Sequence, residues 1–293
     1  MQMFTSTSLV RWDGSEGRPD VDELVSEEPL EIRVAGRAVS VTMRTPGHDA
    51  ELALGFLLSE GVIHRRADMQ RVHSCAGANN LINVTLDPGV SVGFEKLTRH
   101  VFAASSCGLC GKATIDAIRA QLDPIADTTA PRVPATVIAG MPEAMRQTQA
   151  TFDRTGGLHA AALFDEAGRL LVVREDVGRH NAVDKILGHA LLNDWLPLER
   201  HVLVVSGRSS FEIMQKALAG RIPIVAAVSA PSSLAVDFAK ANGQTLIGFL
   251  RNGRMNVYSG DARIDFGPGE SLSEPAADHL ESDREPVTTE RRD

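Results

Sequence analysis

Three short, continuously apolar runs constrain this chain more than any other feature: H-V-L-V-V-S at 201–206, I-P-I-V-A-A-V at 222–228 and T-L-I-G-F-L at 245–250. Each has strand length, is flanked by turn residues, and is separated from the next by a segment of helical spacing, near 210–219 and 233–241. Strands that are apolar on both sides need cover on both faces. The runs therefore predict a largely parallel sheet in an α/β layered domain. Just upstream, H-A-A-A-L-F, a D-E-A-G turn and R-L-L-V-V-R read as a hairpin. It leads into a helix with Val183, Ile186, Leu187, Ala190 and Leu191 at i, i+3, i+4, i+7 and i+8.

The N-terminal half reads differently. E-I-R-V-A, Gly36 and A-V-S-V-T-M-R-T form a hairpin of alternating apolar positions. Asp49 is placed to cap a helix through Leu58, and L-I-N-V-T-L at 81–86 is a strand stopped by Asp87-Pro88-Gly89. A helix, T-I-D-A-I-R-A-Q-L, follows a cysteine-containing turn at 105–111. The stretch 123–137 carries three prolines and marks the boundary between a smaller α+β domain, 28–137, and the α/β domain, 138–260. Pro142 suits the first turn of a helix reaching about Phe152. Residues 1–27, polar and rich in Ser, Gly and Asp, and residues 261–293, charged and without apolar periodicity, read as disordered tails.

Charge narrows the function. The net charge is −8, but 261–293 hold ten acidic and four basic residues, which leaves the body nearly balanced. Without a basic excess, and with one Tyr and two Trp, neither phosphate-backbone binding nor base stacking along a nucleic acid is expected. Three cysteines cannot build a disulfide framework, the start lacks a basic region followed by an apolar stretch, and no run of about 18 apolar residues occurs. The expectation is a cytoplasmic protein that neither spans nor enters a membrane.

Chemistry concentrates in a few segments. In S-S-C-G-L-C-G-K at 105–112, Cys107 and Cys110 sit where a helix begins. Its N–H groups, with Lys112, would lower a thiol pKa, and Gly108 and Gly111 leave room for another molecule's sulfur. Half of a zinc site lacks a second ligand pair, since only Cys75 remains. A zinc deaminase site lacks H-x-E before P-C-x-x-C, and a Walker A loop lacks its first Gly and the Ser or Thr after Lys. A thioredoxin-like dithiol remains a minor reading. S-G-R-S-S-F-E, with Ser206, Gly207, Arg208 and Ser209, ends a buried strand and opens a helix. It is either an ordinary N-cap or an anion site, and S-A-P-S-S at 229–233 repeats it one strand on. Ligands of open α/β sheets bind at that carboxyl edge.

T-G-G-L-H, ending in His159, and E-D-V-G-R-H-N-A-V-D-K, with Arg179, His180, Asn181, Asp184 and Lys185, cluster polar groups beside apolar strands. Within them Asp176 is also readable as a helix cap and Lys185 as part of a solvated face. F-L-R-N-G-R at 249–254 is a strand end with an Asn-Gly hairpin turn, whose Arg251 and Arg254 are placed to clasp phosphate. Cys75, Trp12 and the methionines read as packing or surface residues.

These five segments, in this order over roughly residues 28–260, resemble the FdhD family of formate dehydrogenase accessory sulfurtransferases. The resemblance implies a sulfur carrier that accepts persulfide sulfur from a cysteine desulfurase on Cys107, with Cys110 assisting. The sulfur then passes to the molybdenum or tungsten cofactor bearing two pterin guanine dinucleotides, on its way into formate dehydrogenase. It further implies a cofactor-binding stretch at Phe249, Leu250, Arg251, Asn252, Gly253 and Arg254, a cytidine-deaminase-like fold for the C-terminal part, and a homodimer. Ser206, Gly207, Arg208, Ser209, His159 and His180 are expected to share in holding the cofactor. The competing expectation is a chaperone that binds the cofactor and docks on the dehydrogenase without moving sulfur.

Overall fold

The structure, a computed structural model, describes residues 3–74, 80–94, 122–126 and 131–267. It opens with an antiparallel hairpin, β1 (Phe4–Trp12) and β2 (Gly17–Val25), where a disordered tail was expected. The Thr- and Ser-rich alternation of β1 has little apolar contrast to reveal a strand. The turn is set locally: the Asp13 carboxylate accepts from the Ser15 and Glu16 amides at 3.0 and 3.1 Å. Arg154 pins the hairpin's base, pairing with Glu23 at 2.5 Å and lying 3.6 Å over the Phe4 ring.

The N-terminal half is a four-stranded sheet, in the order β4 (Arg37–Arg44), β3 (Glu28–Val34), β6 (Leu81–Leu86), β5 (Met69–Ser74), packed against helix α1 (Asp49–Ser59). The expected hairpin, helix and strand are present. Asp49 does not cap α1, however. His48 holds the N-cap position without a side-chain cap, and the Asp49 carboxylate takes two bonds from the fully buried Arg44 instead, at 2.9 and 3.0 Å. A buried guanidinium needs an anion more than a partly solvated helix end needs a cap.

The C-terminal half begins with β7 (Val133–Pro134), α2 (Ala135–Arg146) and α3 (Ala150–Thr155). It continues through β8 (His159–Asp165), β9 (Leu170–Asp176), α4 (Arg179–Leu192), β10 (His201–Val205), α5 (Phe211–Ala219), β11 (Ile224–Ala227), α6 (Ser233–Ala241), β12 (Thr245–Arg251), β13 (Arg254–Ser259) and β14 (Ile264–Asp265). The main sheet has the order β13-β12-β11-β10-β8-β9. It is mixed rather than largely parallel, because only the β10–β11 and β11–β12 joints are parallel. The other three joints, β10–β8, β8–β9 and β12–β13, are antiparallel. Tight turns can join only antiparallel neighbours, and the two hairpins supply both edges. The helix expected to start near Pro142 starts at Ala135, carries Pro142 in its interior, and ends before α3 begins.

Alternate strand residues face opposite layers. Ala160, Ala162, Phe164, Val202 and Val204 pack under α2 through Ile138, Met141 and Met145. Ala161, Leu163, Leu203 and Val205 face α4, α5 and α6 in a core that continues into α1 and the N-terminal sheet. The cover on both faces expected of such strands is therefore present. The proline-bearing stretch does not hang free at its ends: Ile125 is buried and donates to the Asn242 carbonyl at 2.9 Å, and Val133 pairs with Ile264. That second pairing also draws residues 261–267 into the fold, against the expectation for the C-terminal tail, because Ile264 buries its side chain there. The remainder of that tail lies outside the described residues.

Candidate functional site

The strand ends of the main sheet open into a cavity of about 720 Å³. Its floor is the edge anticipated for ligand binding: His159 where β8 begins, Ser206 after β10, Val228 after β11, and Leu250, Arg251, Asn252 and Gly253 at the end of β12. Helices α2 and α3 and the joint between them wall it with Glu143, Arg146, Gln149 and Phe152, and Gly156, Gly157 and Leu158 complete the rim. That volume lies within the ~300–1,000 Å³ usual for small-molecule sites.

Backbone strain shapes the floor. Asn252 and Gly253 turn with φ of 53° and 70°, and Arg251 pairs with Arg254 across them, the two-residue hairpin that Asn-Gly encodes. Phe249 also takes a positive φ, 51°, while its amide donates to the Ser229 carbonyl at 3.1 Å. The kink breaks the β12–β13 register between Gly248 and Arg251. Arg251 is exposed and has no ion pair among the described residues. Ser206 locks β10 to β8, its Oγ accepting from the Ala160 amide at 2.9 Å.

Beside His159 the backbone of Gly207 passes so close that an added Cβ would stand 3.3 Å from the imidazole Nδ1 and 3.6 Å from Arg179 Cδ. Burial, then the Arg179 and His180 charges, push the His159 pKa below its ordinary value, so the ring is neutral at pH 7 and can accept as well as donate. Next to it, His180 Nε2 meets Glu212 Oε2 at 2.9 Å and Ser210 Oγ at 3.2 Å. The hydrogen bond from His180 holds the Glu212 carboxyl below the usual carboxylate range. Arg179 Nε and Ser209 Oγ are buried without a hydrogen-bond partner among the described residues.

His159, Ser206, Leu250, Arg251, Asn252 and Gly253 are thus brought together as lining, with Gly207 immediately behind. Phe249, Arg254, Arg208, Ser209 and His180 are not lining residues. Phe249 shapes the kink, Arg254 and Arg208 are exposed, Ser209 is buried, and His180 belongs to the neighbouring polar cluster. Cys107 and Cys110 lie outside the described residues, as does Cys75. Sequence reasoning missed Glu143, Arg146, Gln149 and Phe152, since nothing in α2 or α3 announces which helix will cover the sheet edge.

Two readings of the polar motif change. Asp176 is no simple cap: fully buried, it accepts from the amides of Gly178 and Thr45 and from Asn181 Nδ2, and pairs with Lys185 Nζ at 2.7 Å. Lys185 is not on a solvated face but 1% exposed, and also donates to the carbonyls of Thr45 and Glu175. The motif is therefore a buried clasp between the halves that sets where α4 starts, and with it Arg179 and His180. No group of three or more residues suited to a metal ion occurs among the described residues.

A family model, FdhD/NarQ, matches residues 25–265. The chain belongs to the FdhD/NarQ family. It is 56% identical over 255 residues to the sulfur carrier protein FdhD of Streptomyces coelicolor, covering 84% of this chain and 90% of that one. It is 51% identical over 258 residues to the protein of the same name from Mycobacterium tuberculosis, covering 84% and 92%. Among solved structures it is similar to a protein described as a formate dehydrogenase accessory protein from Desulfotalea psychrophila, with a TM-score of 0.73, 25% identity, and coverage of 90% of this chain and all of that one. The family match leaves out most of the β1–β2 hairpin and takes in the whole cavity. No helix among the described residues is long and apolar enough to cross a membrane.

Proposed function

We propose that this protein is a sulfur carrier for the maturation of formate dehydrogenase. Cys107 takes persulfide sulfur from a cysteine desulfurase and delivers it to the bis-guanine-dinucleotide molybdenum cofactor, which is cargo. The observation that carries the reading is the meeting of G-G-L-H and L-R-N-G at one cavity, in a chain that carries C-G-L-C and whose relatives are named sulfur carriers. In the first step the Cys107 thiolate attacks the outer sulfur of the desulfurase persulfide. A new S–S bond forms at Cys107, the old one breaks, and the desulfurase leaves as a thiolate. The cavity supplies the second requirement, a grip on the cargo remote from the reacting sulfur, and such grip converts binding into positioning. Arg251, without an ion pair among the described residues, suits phosphate oxygens, and neutral His159 and the backbone of Asn252 and Gly253 offer further hydrogen bonds. A cargo with two guanine arms exceeds one cavity, and the homodimer implied by the resemblance would present two. The layered sheet is consistent with a cytidine-deaminase-like classification of its C-terminal part.

Incubation with a cysteine desulfurase and cysteine, followed by intact-mass measurement, is expected to show a one-sulfur increment. The increment should vanish under reductant and in Cys107→Ala, and cells carrying only that variant should lose formate dehydrogenase activity. A chaperone that moves no sulfur predicts the reverse: Cys107→Ala keeps activity, while Arg251→Ala, through the cavity, loses it.

A further inference from the structure

The lining of the cavity has a direction. Among the described residues, Glu143 is its one carboxylate, and it stands on the α2 wall, one turn of helix from Arg146. Arg146 is committed to Asp153, and its guanidinium lies 4.8 Å over the Phe152 ring, so the α2–α3 wall joins an acceptor to a flat aromatic and cationic surface. Planar bases stack on such surfaces. Arg251, a cation with no ion pair among the described residues, lies at the end of β12 on the floor with the strand-end backbone, so the acceptor and the cation come from different elements of the lining. Among the described residues the Glu143 carboxylate has one hydrogen-bond partner, the amide of Gln147 at the C-cap of α2, at 3.2 Å.

Resting on the reading of this cavity as the nucleotide end of the cargo site, we propose that Glu143 is the specificity-determining residue. Its carboxylate accepts from the N1–H and N2–H of guanine, placing the base at α2–α3 and the phosphates at Arg251. Guanine presents two adjacent donors on that edge, which match the two oxygens of a carboxylate. Hypoxanthine presents one. Adenine presents a donor beside an acceptor, and the acceptor faces the carboxylate repulsively. An amide in place of the carboxylate reverses this: it has one acceptor for N1–H, meets guanine's second donor with its own NH₂, and can pair with adenine's donor and acceptor.

The test is calorimetric titration of the full chain with GDP, IDP and ADP. The unaltered protein is expected to bind GDP about tenfold or more tighter than IDP, the scale of one hydrogen bond to a charged group, and to bind ADP weakest. In Glu143→Gln, an exposed position with no packing role, the GDP preference over IDP should collapse to about threefold or less, and ADP should gain on GDP. Arg251→Ala should weaken GDP and IDP alike and leave their ratio unchanged, which separates the two ends of the site. A GDP-to-IDP ratio that is the same in Glu143→Gln as in the unaltered protein overturns the role of Glu143 while leaving the cavity a nucleotide site. Failure of the unaltered protein to bind GDP overturns the site reading itself, and the inference with it.

Discussion

Asp184 and Lys185 are consecutive, and both side chains are buried against opposite neighbours. Lys185 runs to Asp176 and the hairpin end. Asp184 accepts from Lys216 Nζ at 2.8 Å on each oxygen and from Ser59 Oγ at 2.9 Å. Burial pushes the Asp184 carboxyl above its ordinary range, with the Lys216 ammonium acting against that shift; the Lys216 ammonium, penalised by burial, is held above its own ordinary value by Asp184. A pair so enclosed is fragile to the loss of one member, because the survivor keeps its desolvation cost without its partner. Lys216→Met is therefore expected to lower the unfolding free energy by about 3–5 kcal/mol in urea titrations, and Asp184→Leu combined with Lys216→Met to recover most of it. If the double variant is as unstable as the single, the pair is not the cause. The sequence showed Asp184 and Lys185 within a polar cluster but could not show which charges were buried, nor that Lys216 would meet Asp184. A helix covered on two sides and one covered on a single side can carry the same residues.

Helices α1 and α4 touch backbone to backbone. A Cβ added at Gly55 would fall 1.8 Å from the Asp184 carbonyl oxygen, and one added at Gly188 would fall 1.8 Å from that of Glu51. Glycine inside a helix costs about 1 kcal/mol relative to alanine, so its presence at both crossing points signals a contact that tolerates no side chain. Gly188→Ala should force the helices apart. The expected effect is a loss of about 1–3 kcal/mol, seen as a Tm lower by about 2–5 °C in thermal unfolding. An unchanged Tm would mean that the crossing can open freely. At this scale most elements were legible, because β8 through β13 alternate periods and turn residues cleanly. The β1–β2 hairpin was not, since a strand of Thr and Ser has too little apolar contrast to be read by period.

The two halves of the molecule share one core, and they are also tied by charge. Glu51 of α1 receives Arg174 of β9 at 2.5 and 2.7 Å, His189 of α4 at 3.0 Å and His48 at 3.4 Å. Burial alone would raise the Glu51 carboxyl, but Arg174, His48 and His189 together hold it far below the usual carboxylate range. A carboxyl lowered on folding contributes stability that is complete above its unfolded value, about 4.3, and is lost as pH falls beneath it. The urea midpoint is expected to drop from pH 5 downward, and Glu51→Gln to flatten that drop while lowering the midpoint at pH 7. A pH profile identical in the two proteins would remove Glu51 from the account.

Composition, strand runs and turn residues by themselves determined the α/β class, the carboxyl edge as the place where a cavity opens, and the Asn-Gly turn at its mouth. Those follow from local rules, since period, capping and positive φ are properties of a few neighbouring residues. Only the tertiary structure decided that the sheet is mixed, that E-D-V-G-R-H-N-A-V-D-K clasps two halves together, and that Glu143 and Phe152 wall the cavity. Each of these depends on which surfaces meet across long sequence separations, and packing fixes that for the molecule as a whole.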